Sequence, residues 1–143
     1  MSIEGFRPAL QQTRHWRIAP HAVAHLRAEL PAAIDPQRLH SALGQLLARH
    51  EILRTRLTAV PGLQLPVQVI AERLDFGWQV LEVGDQDILA LEERLQAELA
   101  ARVQDVEQPP LAAALLRGDQ SDRLLLALPN VNADAATLQC LLQ

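Results

Sequence analysis

The 143-residue sequence has no lysine, no tyrosine and one cysteine, Cys140, and aromatic residues make up only 3% of it. Each shortage removes a class of explanation. A lone cysteine excludes an internal disulfide and any cysteine-built metal cluster, and it suits a reducing compartment. With so few aromatics, the core must be packed from Leu, Val, Ile and Ala. All 13 basic residues are arginine, which reads as the bias of a GC-rich genome rather than a design for binding phosphate. A net charge of -4 leaves no electrostatic footprint for nucleic acid. No apolar run follows a basic N-terminal segment and none reaches spanning length. Neither a signal peptide nor a transmembrane helix is therefore expected, and the cytoplasm is the default compartment.

What is present is globular: 49% apolar and 21% charged residues, at a length that suits one domain over positions 1–143. Residues 1–20, with Pro8 and Pro20, read as an irregular lead-in holding about one helical turn, with Trp16 as its anchor. Residues 22–30 alternate, with Ala22, Ala24, Leu26, Ala28 and Leu30 on one face, as in a half-buried strand. Asp35-Pro36 is a helix start, an N-cap acceptor followed by proline in the first turn. Leu39, Leu43, Leu46, Leu47 and His50 then mark a helical face. Residues 52–59 alternate as a strand, Pro61-Gly62 is a turn, and residues 67–70 and 78–83 are short strands. Gly84-Asp85 ends the last of these. Ile88, Leu91, Leu95, Leu99 and Val103 form the stripe of a second amphipathic helix. After Pro109-Pro110, the apolar runs 111–116 and 123–128 flank a short polar loop, as adjacent antiparallel strands in a covered sheet do. A further helix begins after Ala135. The order implies an α+β fold: a mixed, mainly antiparallel sheet with helices packed on it.

Three stretches carry a resemblance. Ile34-Asp35-Pro36-Gln37-Arg38-Leu39 opens the first long helix. Arg49-His50-Glu51-Ile52-Leu53-Arg54-Thr55-Arg56-Leu57 follows an R-H-E-x-L-R-T-x-F pattern, with Leu57 in place of Phe. Pro129-Asn130-Val131-Asn132-Ala133-Asp134-Ala135 falls on an H-H-x-x-x-D-G pattern. In this order and spacing they resemble the amino-terminal half of the condensation domain of nonribosomal peptide synthetases, in the chloramphenicol acetyltransferase-like superfamily. The resemblance runs from about Leu10 onward, and the helix over 88–103 and the strand entry at Pro110-Leu111 fall where such a domain has them.

The resemblance implies a site whose second motif histidine lies at the acceptor amine and the thioester. Here that slot is Asn130, the first histidine slot is Pro129 and the closing glycine is Ala135. A neutral amide neither takes up nor releases a proton near neutral pH, whereas imidazole does both. Pro129 lacks a backbone donor, so the strand should end one residue early. Ala135 is harmless at negative φ and strained at positive φ. The resemblance also implies a buried salt bridge between Asp134 and the two signature arginines, Arg49 and Arg54, which supports the loop without moving protons.

The other reactive residue types read as structural. His50 at a helix end suits dipole complementation or packing. His15, His21, His25 and His40 lack metal-ligand spacing. Cys140 lies in an apolar helical pattern without a paired His or Asn. Ser41 and Ser121 have no G-x-S-x-G context, Gly84 and Gly118 belong to no phosphate loop, and Trp16 and Trp78 read as buried anchors. No cofactor is implied.

The expectation is a truncated, catalytically inactive condensation-like domain serving as a structural or protein-interaction module in natural-product biosynthesis. It would pack on an adjacent adenylation domain, a carrier protein or a second copy of itself, through an apolar sheet face left bare. The competing expectation is an amide- or ester-forming acyltransferase half, with Asn130 or His50 in the missing role, completed by another segment or chain.

Overall fold

In the computed structural model, which describes residues 5–31 and 33–132, the lead-in folds into a nine-residue helix, α1 (Leu10–Ile18). Its apolar residues do not form a helical stripe, which hides it in the sequence. The buried residue is Gln12, whose side chain accepts from the Ala9 amide at 2.8 Å and donates to the Gln68 side chain at 3.2 Å. Trp16 is half-buried. Strand β1 (Val23–Pro31) follows and keeps the expected alternation, with Ala24 and Leu26 buried and His25, Arg27 and Glu29 exposed.

Helix α2 (Pro36–Arg49) starts as its residues dictate: Asp35 accepts from the Gln37 amide at 2.9 Å, and Pro36 takes the first turn. His50 is the C-cap, in an extended conformation, and does not continue the helical face. The next segment differs from the strand expected over 52–59. Glu51–Arg54 is a single 3-10 turn, and only Thr55–Thr58 forms a strand, β2. The reason lies in packing: Ile52 and Leu53 both join the core beneath α2, and a strand would send neighbours to opposite faces.

Strand β3 (Val67–Ile70) pairs antiparallel with β2, across a turn in which Gly62 takes φ 87. Strand β4 (Gly77–Glu82) ends at Gly84, with φ 56. Helix α3 (Ile88–Gln104) is capped by Asp87, which accepts from the Leu89 amide at 3.0 Å, and it buries Leu91, Leu95, Leu99 and Val103. Strands β5 (Ala112–Arg117) and β6 (Ser121–Pro129) complete the described elements.

The main sheet has the order β1-β6-β5-β4. All of its pairings are antiparallel except β4 with β5, which are joined through α3 as a crossover and run parallel. The fold is α+β with a mixed, mainly antiparallel sheet. Central strands β5 and β6 are apolar on both faces because both faces are covered. One face packs Leu124, Leu126 and Leu128 against Leu43 and Leu47 of α2; the other packs Leu125 and Ala127 against Leu95 and Leu99 of α3. The bare apolar sheet face expected for a half domain is therefore not found among the described residues. Most of the large exposed apolar side chains, among them Ile18, Leu63, Leu89 and Val106, lie at helix ends and in loops, and Val80 lies on the edge strand β4. Among the described residues no helix is long and apolar enough to cross a membrane.

Strand β6 also runs one residue further than expected, through Pro129. Amides alternate in direction along a strand, and the next one, Asn130, donates to the Ala22 carbonyl on the β1 side at 2.8 Å. Pro129 therefore faces the β5 side, where the ladder has already ended at Ala112 opposite Ala127. A missing donor at that point interrupts no ladder hydrogen bond.

Candidate functional site

The end of β6 delivers Pro129, Asn130, Val131 and Asn132 to a corner formed with α1 and the 3-10 turn. His15 of α1 holds this corner from one side, its Nδ1 3.3 Å from the Asn130 carbonyl oxygen. A carbonyl only accepts, so this contact places the imidazole proton on Nδ1. Asn132 holds it from the other side by donating its side-chain amide to the Thr55 carbonyl. Thr55 is fully buried and donates its hydroxyl to the Glu51 carbonyl at 2.7 Å. The second and third resemblance stretches, far apart in sequence, thus meet through Asn132 and Thr55.

Arg54 reinforces the same corner. Its side chain is largely buried, and it donates from Nε to the Leu47 carbonyl at 3.2 Å and from Nη1 to the Ala71 carbonyl at 2.7 Å. Glu51 is 3.8 Å away. Arg49 is exposed at the end of α2 and makes no ion pair among the described residues. Asp134 and Ala135, with Cys140 and the helix expected around it, lie outside the described residues.

Beside the corner is a cleft of about 630 Å³. Trp16, Pro129 and Val131 border it at the end of the sheet. Arg56 and Leu57 of β2 form one wall, and Val103 with residues 106–110 form the other. The lining is mainly apolar. Pro129 and Val131 face the cleft whereas Asn130, between them, is not part of its lining. His50 does not reach it either. The remaining histidines are dispersed, and among the described residues no group of three or more metal-ligating side chains forms.

Two arrangements had no signal in the sequence. Arg56, at the second variable position of the second stretch, donates to the carbonyls of Val103 at 2.9 Å, Asp105 at 2.9 Å and Gln108 at 2.6 Å. Burial lowers its pKa, and the Asp105 carboxylate opposes that shift. Glu92 of α3 is buried and pairs with Arg27 of β1 at 3.2 Å and with Arg123 of β6. No spacing rule announces either set, because its members come from different elements. Trp78 packs half-buried against the α2-side core, edge-on to the His40 ring, which itself stacks on Phe76 at 4.7 Å. The surface it anchors is a packing one.

Comparison with known proteins places this geometry. Residues 12–143 match the condensation domain family. The chain is 35% identical over 150 aligned positions to the AMB antimetabolite synthetase AmbE of Pseudomonas aeruginosa, covering 99% of this chain and 7% of that protein. It is 34% identical over 121 positions to the nonribosomal peptide synthetase fso1 of Omphalotus olearius, covering 82% of this chain and 3% of that one. The fold is similar to the starter condensation domain of rhizomide synthetase RzmA, with a TM-score of 0.73 and 17% identity over 98% of this chain and 36% of that one. It is also similar to the EpoB cyclization-docking bidomain from Sorangium cellulosum, with a TM-score of 0.62 and 24% identity over 99% of this chain and 32% of that one. The chain thus spans under a tenth of these synthetases and about a third of the solved chains. With two resemblance stretches joined at the mouth of β6, and with these matches, the chain belongs to the condensation domain family of nonribosomal peptide synthetases and spans the amino-terminal portion of such a domain.

Proposed function

We propose that this lobe does not catalyse acyl transfer and serves as a structural or protein-interaction module within a nonribosomal peptide synthetase. The observation that carries the reading is Asn130 in the slot matching the family's second motif histidine. Forming an amide or ester from a thioester requires the attacking amine or hydroxyl to lose a proton, and a side-chain amide does not accept one. Two features of the corner support the reading. Asn130 is not part of the cleft lining, and its backbone carbonyl is already engaged by His15. His50, the other candidate base, is an exposed C-cap that does not line the cleft.

The partners this reading favours are an adjacent adenylation domain, a carrier protein or a second copy of the chain. The matched relatives are themselves large synthetases. No cofactor takes part, and the setting is the cytoplasm. The test is to supply the synthetase containing this chain with an acyl-loaded carrier and an amine acceptor and to follow both by intact-protein mass spectrometry. Acyl transfer no faster than in a reaction lacking the synthetase is expected. Product that forms and then disappears in Asn130→Ala would overturn the reading.

A further inference from the structure

Arg56 is the only residue of β2 that hydrogen-bonds across the cleft among the described residues. Its own strand belongs to a sheet of two strands that shares no ladder with the four-stranded sheet. Such a pair has little stability of its own and takes its position from what it is tied to. At the Thr55 end, β2 is pinned to the motif corner through Asn132. On the β3 side the pair is held to the lead-in through Gln68, which bridges Phe6 and accepts from Gln12. Across the cleft the tie is Arg56, which reaches over to the C-terminal end of α3. A helix end leaves carbonyls without intrahelical partners, and there Arg56 engages Val103, Asp105 and Gln108 at 2.6–2.9 Å. Val103 and Gln108 line the opposite wall of the cleft, and Asp105 lies between them in the chain.

We propose that Arg56 is a strap across the cleft, fixing the separation between the β2–β3 wall and the segment after α3 and so setting the size of what can enter. The donors are charged and the acceptors are neutral carbonyls at a helix terminus, which favours strong, directional contacts. Thr55 is the natural hinge, because it is held on the far side of the strap. When the strap is cut, the wall swings about this hinge while the four-stranded sheet, with its two covered faces, stays as it is.

The experiment uses the full chain in a Cys140→Ser background, with spin labels at Ala59→Cys and Val106→Cys. Both positions are exposed and border the cleft from opposite walls. Arg56→Met keeps the apolar stem of the side chain and removes every donor. It should move the label-to-label distance distribution to longer values and broaden it. Amide exchange over residues 55–59 and 105–108 should rise about tenfold or more, as expected when local opening loses one or two hydrogen bonds, while β5 and β6 exchange as before. Arg56→Lys keeps the charge and reaches fewer carbonyls, so it should fall between the two; it also decides the matter if the methionine variant does not fold. A distance distribution like that of the unsubstituted chain overturns the strap. So does exchange that rises equally in β5 and β6, which would make Arg56 a contributor to global stability only.

Discussion

The Asn132 side-chain amide donates to the Thr55 backbone carbonyl, joining the two stretches that carry the family likeness. Both partners are largely withdrawn from water, so the bond is difficult to replace by solvent. Asn132→Ala leaves a buried carbonyl without its donor and is expected to lower stability by about 1–3 kcal/mol. Asn132→Asp should be worse, because it points a carboxylate at that carbonyl. Urea denaturation of the two variants, read as a shift in midpoint at constant slope, checks the order.

Glu92 links α3 to both β1 and β6, and its partners differ in exposure. The Glu92 side chain is 8% exposed, Arg123 17% and Arg27 48%. Removing the carboxylate strands Arg123 in a dry setting, so Glu92→Ala should destabilise by about 3–5 kcal/mol. Arg27→Ala should cost under about 1 kcal/mol, because solvent already screens that pair. Thermal unfolding of the three alanine variants should rank them Glu92, Arg123, Arg27 in decreasing effect. A larger loss for Arg27→Ala than for Arg123→Ala would refute the network as drawn.

His25 lies on β1 opposite Ala127, and although it is exposed, the partial withdrawal of its ring from water lowers its pKa below the ordinary histidine value. The unfolded chain therefore binds a proton at a pH where the folded chain does not, and stability rises with pH across that window. The contribution is complete above about pH 6.5 and is lost as pH falls from there through the folded-state value. His25→Gln should flatten this part of a stability profile recorded between about pH 8 and pH 5. An unchanged slope would assign the acid sensitivity to other groups.

The salt bridge proposed among Arg49, Arg54 and Asp134 divides into testable halves. Arg54 is tied to two backbone carbonyls whatever Asp134 does, whereas Arg49 is exposed. Arg54→Ala should therefore destabilise more than Arg49→Ala. If Asp134 also pairs with Arg54, the double-mutant cycle between them should show a coupling of about 0.5–3 kcal/mol. Additive single effects would remove Asp134 from the trio.

The elements that were legible in the sequence share a physical cause. The α2 and α3 stripes and their Asp caps depend on neighbours within a few residues, so their signals are local. The alternation of β1 and the apolar runs of β5 and β6 likewise report directly on which faces are covered. Of helix α1 only about one turn was legible, because its buried residue is Gln12, a polar side chain whose partner, Gln68, lies on β3. The segment over 52–59 misled because Leu53 and Thr55 alternate as a strand would, yet Ile52 joins Leu53 in the same core.

The sequence alone determined the fold class and the family. These rest on residue identity and periodicity, which the chain carries regardless of its shape. Tertiary structure decided the rest: that Asn132 meets Thr55, that Arg56 spans the cleft, that Glu92 gathers two arginines, and that Pro129 and Val131 rather than Asn130 face the cleft. Each is a contact between groups distant in sequence or a choice between two faces of one strand. Such outcomes are set by the packing of whole elements, and no local pattern encodes them.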